Sequence, residues 1–227
     1  MAGASDTERL RQAFVRALGF TVLLWVIKGL ELADQADLAP YGIFPRTLEG
    51  LSGILWAPLI HASIAHLFTN TAPLIVLLTA LLYGYPRSAT IVISAVYLGG
   101  GLLVWLFARS AYHIGASGLI FGLMGFVFTL GLLRRDRRAI GLSLLVFFLY
   151  GGAITGLVPM DPHISFESHL FGALIGIALA FALRHRDPPP AEPRYDWEGE
   201  EEETPESGGR GLGGPDGVHH SRGRGRL

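Results

Sequence analysis

Four polar residues, His66, Asn70, Ser117 and His169, sit in stretches of sequence that are otherwise almost wholly apolar. A serine hydroxyl becomes a useful nucleophile only when a neighbouring base takes its proton, and a histidine removed from water favours the neutral form a base needs. Ser117 lies in Gly115-Ala116-Ser117-Gly118, followed by Gly122 and Gly125. A helix starting there turns unpaired backbone amides towards developing negative charge. His66 and Asn70 are four apart and project from one helical face. Asn70 Nδ2, a ring N–H of His66 and the Ser117 amide are thus the available donors for a tetrahedral oxyanion, a good one contributing about 3–4 kcal/mol. His169 is followed by Gly172 and Gly176 on its own face, where small residues let helix backbones approach closely. Phe121, one turn below Ser117, is expected to pack against the His169 ring. Glu167 is expected to face water, and no Asp or Glu lies in the outer half of the crossings that carry these residues, so the pattern predicts a Ser–His dyad rather than a triad.

Each of these residues has a plainer reading when taken alone. Gly-Ala-Ser-Gly is also a helix-packing sequence, Asn70 suits an interhelical hydrogen bond, and His169 suits a satisfied interfacial ring. Their shared depth decides between the readings, and that depth follows from the elements that carry them.

The 227 residues are 50% hydrophobic and 16% charged, against about one-quarter charged in an ordinary soluble domain. Six windows are long and apolar enough, or nearly so, to cross a bilayer: 14–33, 64–83, 88–108, 115–133, 139–157 and 168–183. The first is interrupted by Arg16, Lys28 and Glu31, of which Lys28 and Glu31 are spaced to pair. A cleaved leader is the rival reading of that window, but the topology works best with it retained. Arginines gather at Arg9 and Arg11, at Arg87, at Arg134, Arg135, Arg137 and Arg138, and at Arg184 and Arg186. The positive-inside rule then puts both termini in the cytoplasm. Crossings two, four and six all begin at the outer face, which brings His66, Asn70, Ser117 and His169 to one depth on one side.

Residues 1–12 read as a cytoplasmic polar lead, 13–186 as the membrane domain, and 187–227 as a disordered tail. The tail carries three prolines, an acidic run and a Gly/Arg/His-rich end that cannot bury enough apolar surface to offset chain ordering. Its His219 and His220 read as solvated rather than as metal ligands. The link 34–63 repeats Leu51, Leu55, Trp56, Leu59 and Ile60 at helical spacing and is expected to lie partly sunk in the outer headgroups. The chain has no cysteine, which excludes disulfides, thiolate metal sites and cysteine nucleophiles. Net charge is -1, so overall charge gives no argument for nucleic acid as a partner, and the arginine cluster reads as a topology signal. No metal or cofactor is expected.

Residues 115–122, Gly-Ala-Ser-Gly-Leu-Ile-Phe-Gly, resemble the serine motif of the rhomboid family of intramembrane proteases. Ser168-His169-Leu170-Phe171-Gly172, with Gly176, resembles that family's last-helix histidine motif, and His61, His66 and Asn70 resemble its second-helix pattern. The resemblance covers about residues 14–184. It implies an all-α, six-helix bundle with both termini inside, a long membrane-associated first external loop, and a multi-pass place in a bacterial plasma membrane. It further implies that Ser117 attacks the scissile carbonyl, that His169 is general base and then acid, that His66, Asn70 and the Ser117 amide form the oxyanion hole, and that His61 shapes that region. The implied substrates are single-pass membrane proteins cut in or beside their transmembrane helix, small residues being favoured at the cut. One departure concerns the first external loop, where many bacterial members carry a Trp-Arg pair. Here the nearest feature is Gly42-Ile43-Phe44-Pro45-Arg46, and Arg46 is expected to anchor the loop to headgroups.

Two other functions compete. A catalytically inactive relative acting as a membrane-protein scaffold would typically lack the serine or the histidine. A small transporter with histidine relays would carry polar groups through the full bilayer depth, whereas stretches such as 74–82 are nearly all apolar.

Overall fold

The computed structural model describes residues 5–149 and 165–187, whose regular elements are helices. α1 runs Asp6–Ala33. It starts inside the expected polar lead because Ser5 caps it, accepting from the Glu8 amide at 3.3 Å, and Glu8 and Arg11 pair along the first turns. Its buried residues Ala13, Ala17, Thr21, Leu24 and Lys28 recur every three or four positions, a single stripe against α4 (Ile64–Gly84). Trp25 Nε1 donates to Thr71 Oγ1 across that seam at 3.0 Å.

Two short helices, α2 (Leu48–Leu51) and α3 (Gly53–Trp56), fold the first link into a compact piece. After α4, α5 (Pro86–Ser94), a π-helical turn (Ala95–Gly99) and α6 (Gly100–Phe107) form one continuous rod. α7 (Ser117–Arg134) stops at Arg135 in the left-handed conformation, φ 57°, and α8 (Arg137–Leu149) follows. α9 spans Phe166–Ala182. Among the described residues, four stretches are long and apolar enough to cross a membrane: Asp6–Ala33, Ile64–Gly84, Pro86–Phe107 and Ser117–Arg134. α9 is a shorter apolar helix. The fifth expected window, 139–157, coincides with α8 at its start and otherwise lies outside the described residues. The exposed residues of these helices, among them Phe14, Val22, Phe107 and Phe181, are the apolar surface an integral membrane protein turns to lipid.

α7 is the axis. Some 61% of its apolar window is buried, against 22% for Pro86–Phe107, and α4, α8 and α9 pack around it. Its contact with α9 is made backbone to backbone. A Cβ on Gly172 would run into the Gly118 carbonyl, and one on Gly176 into the Gly122 carbonyl. Only glycine at both positions lets the two helices come this close.

At the other end of α9, Asp187 belongs to the helical unit rather than to a tail. Its carboxylate accepts from the Arg87 amide at 2.8 Å and the Ser88 hydroxyl at 2.5 Å, capping α5, and the residue is buried. The Arg134 guanidinium reaches the carbonyls of Arg184 and Asp187 beside it. The remainder of the expected tail lies outside the described residues.

Candidate active site

Ser117 opens α7 and His169 lies in the first turn of α9, so the close packing of these helices brings the two side chains together. His169 Nε2 is 2.7 Å from Ser117 Oγ, and both residues are buried. Phe121 stacks on the His169 ring, centroids 4.3 Å apart and planes 9° from parallel, which fixes the imidazole's tilt. The helical spacing that put Phe121 on the serine's face is what delivers it there.

α4 supplies the opposite wall. Ser63 caps it by accepting from the His66 amide at 3.0 Å. Gly115 precedes Ser117 with φ +113°, a backbone region that side chains rarely adopt. A Cβ on Gly115 would come 2.7 Å from His66 Cε1, 3.0 Å from His66 Nε2 and 3.8 Å from Ser117 Oγ. The His66 ring therefore fills the space beside the hydroxyl that glycine leaves open. Asn70, one turn further along α4, is fully buried. His61 stands edge-on to His66, centroids 5.1 Å apart, and its Nε2 accepts the Ala116 amide at 3.3 Å. Burial first, and the nearby His66 and Lys28 second, push the His61 ring down to about 4. Lys28 is itself buried, donating to Glu31 Oε2 at 2.8 Å, the pairing expected from the sequence, and to the His61 carbonyl at 2.9 Å.

A cleft opens beside this cluster, lined in part by Tyr97, Gly100, Gly101, Gly115, Gly118 and Gly172. The first link closes over it. The Gly115 amide donates to the Ala57 carbonyl at 2.8 Å, Ile43 and His113 exchange backbone bonds, and Tyr97 Oη donates to the Leu55 carbonyl at 2.5 Å. Arg46 is turned to protein: its guanidinium donates to the Ala108 carbonyl at 2.7 Å at the end of α6, while Trp105 Nε1 returns a bond to the Thr47 carbonyl.

Glu167 departs from expectation. It is buried rather than water-facing, accepting from the Arg109 amide at 3.3 Å and pairing with the Arg109 guanidinium at 3.7 Å. The reason is that Arg109, in the link after α6, folds back over the start of α9. Sequence reading also passed over His113 and Ser165 and gave Ser168 no role beyond its place in the motif; the three join through hydrogen bonds of 2.6 Å. The signal available was a histidine four residues ahead of Ser117 and two serines three apart ahead of His169. Among the described residues no group of His, Asp or Glu is arranged to hold a metal.

A model of the Rhomboid domain matches residues 49–186 of the chain. An uncharacterized protein of Mycobacterium tuberculosis is 37% identical over 176 residues, 73% of each chain. One from Mycobacterium leprae is 35% identical over 180 residues, 74% of this chain and 70% of its own. RHOMBOID-like protein 2 of Arabidopsis thaliana is 29% identical over 174 residues, which are 70% of this chain and 53% of the plant protein.

Proposed function

The chain belongs to the rhomboid family, and from that membership we propose that it is an intramembrane serine endopeptidase working through Ser117 and His169. The observation that carries the reading is the 2.7 Å approach of His169 Nε2 to Ser117 Oγ, between two helices far apart in sequence. His169 takes the hydroxyl proton as Ser117 Oγ bonds to the scissile carbonyl carbon. The Ser117 amide, His66 and Asn70 are the donors that receive the oxyanion. The C–N bond then breaks, with the proton on His169 passing to the leaving amine. Water, deprotonated by the same imidazole, hydrolyses the ester and restores the serine.

The substrates are single-pass membrane proteins. A helical peptide bond is shielded by its own neighbours, so a substrate segment must unwind locally, and helix-weak residues ease that step. The cleft beside Ser117 is lined by glycines together with aliphatic side chains such as Ile43, Val96 and Leu119, a narrow apolar surface that suits small side chains at the cut. The arginines between α7 and α8 and after α9 support six crossings with both termini in the cytoplasm, the site towards the outer face of a bacterial plasma membrane. Residues 1–12 and 187–227 then lie in the cytoplasm.

Reconstitution with a model single-pass substrate tests this. Wild type is expected to cleave and to label with a serine-directed fluorophosphonate, while Ser117→Ala and His169→Ala do neither. Equal cleavage by all three removes the dyad. Substrate binding without cleavage by wild type favours a scaffold.

A further inference from the structure

We propose that His113 is a positioning residue for the His169 imidazole, holding the first turn of α9 in register with Ser117 through the hydroxyls of Ser165 and Ser168. The inference rests on the Ser117–His169 reading above. His113 lies in the link between α6 and α7 and is almost fully buried. Its backbone is pinned on both sides by Ile43, at 2.9 and 3.1 Å. Nε2 is 3.0 Å from the Arg109 carbonyl, which can only accept, so Nε2 carries the hydrogen.

Burial keeps this ring below the usual histidine range, against the opposing pull of the Arg109 carbonyl and the Glu167 charge. It is therefore neutral near pH 7, and Nδ1 offers a lone pair. Ser165 Oγ, 2.6 Å away, must donate to it. With that hydrogen committed, Ser168 Oγ donates in turn to Ser165 Oγ, also at 2.6 Å. Every donor and acceptor role in the chain is set by the one carbonyl at its start.

Ser165 occupies the N-cap position of α9, where a serine usually accepts from an amide in the first turn, yet its side chain makes no capping bond. Its hydroxyl is turned sideways to His113. The Ser165 hydroxyl thus fastens the first turn of α9 to the link that leads into Ser117 instead of capping the helix, while its carbonyl still accepts from the Ser168 and His169 amides. The Ser168 carbonyl stands 3.1 Å from where a Cβ on Gly118 would be, directly after the serine. Arg109 grips the adjacent Glu167 from the same link. His169 is the next residue after Ser168, so the network sets the position from which its imidazole meets Ser117.

The test uses the full chain in detergent, with His113→Phe, Ser165→Ala, the double variant and Ser165→Thr. Fluorophosphonate labelling, kcat, KM and helical circular dichroism are measured on each. His113→Phe and Ser165→Ala are each expected to lower the labelling rate and kcat about tenfold, since small misplacement of a reacting group is costly, with KM unchanged. The double variant is expected to be no slower than the worse single one, and Ser165→Thr to recover most of the rate. Wild-type rates in both single variants, or losses that multiply in the double, overturn the proposal. If His113→Phe fails to fold, the Ser165→Ala and Ser165→Thr comparison decides alone. A wild type that never labels sinks the parent reading and this one with it, whereas a labelled wild type with equally labelled variants sinks only this one.

Discussion

At the scale of single residues, the site is governed by atoms placed where no alternative fits. Gly115 is the clearest case, because its φ of +113° and the His66 ring at 2.7 Å from a hypothetical Cβ both exclude a side chain. Gly115→Ala is expected to store about 1–3 kcal/mol of backbone strain. It should also push His66 away from Ser117, visible as a lower unfolding temperature together with slower fluorophosphonate labelling. Asn70→Ala leaves packing largely intact but removes a proposed oxyanion donor, so kcat is expected to fall about 10²–10³-fold with KM little changed. A loss in KM alone would instead assign Asn70 to substrate binding. The meeting of Ser117, His169 and Phe121 was legible in the sequence because the crossings carrying the first two start on the same side and helical periodicity puts Phe121 on the serine's face. Glu167 was misread and His113 passed over because their surroundings come from a link remote in sequence, which no local pattern reveals.

At the scale of elements, the α7–α9 contact is what the glycine spacing announced, and its cost of disruption is calculable. A Cβ on Gly176 meets the Gly122 carbonyl and lies 3.0 Å from the Phe126 amide nitrogen, backbone atoms that cannot rotate aside. Gly176→Val is expected to destabilise by about 1–3 kcal/mol or more and to part Ser117 from His169. Gly19→Ala is the control: nothing lies within 4 Å of its Cβ position in α1, and alanine should there raise stability by up to about 1 kcal/mol. Thermal unfolding in detergent with parallel labelling separates the two, and a Gly176→Val variant as stable and as active as wild type would refute the close-packing account. The Asp187 cap on α5 was not legible, since the composition of 187–227 points wholly to a tail. Truncation after Pro188 is expected to retain wild-type stability and cleavage. Truncation after Arg186 removes the carboxylate that holds Arg87 and Ser88 and should cost about 1–2 kcal/mol. Equal unfolding temperatures for the two truncations would show that the cap contributes nothing.

At the scale of the whole molecule, the sequence announced the apolar helices and their basic ends, because hydrocarbon leaves little choice of composition. It did not announce how the first link closes over the bundle, which depends on backbone bonds from Ile43, Ala57 and Arg46 to distant partners. Two buried histidines stand at that junction, His61 beside Ala116 and His113 beside Ile43. Burial holds His61 down to about 4 and also lowers His113. In the unfolded chain such rings protonate near 6.5, so between pH about 6.5 and 4 the unfolded state binds protons that the native state refuses. Stability therefore rises with pH across this window: it is fully present above about 6.5 and is lost as pH falls towards 4. For His61 the linkage amounts to at most roughly 3 kcal/mol. Unfolding temperatures in detergent at pH 7.5, 5.5 and 4.5 should fall in that order. Carboxylates titrate in the same acid range, so the decisive comparison is with His61→Gln, which keeps an acceptor for the Ala116 amide but cannot protonate. That variant is expected to lose less stability on acidification than wild type. Parallel curves for the two proteins would mean that the acid sensitivity of the junction does not come from this ring.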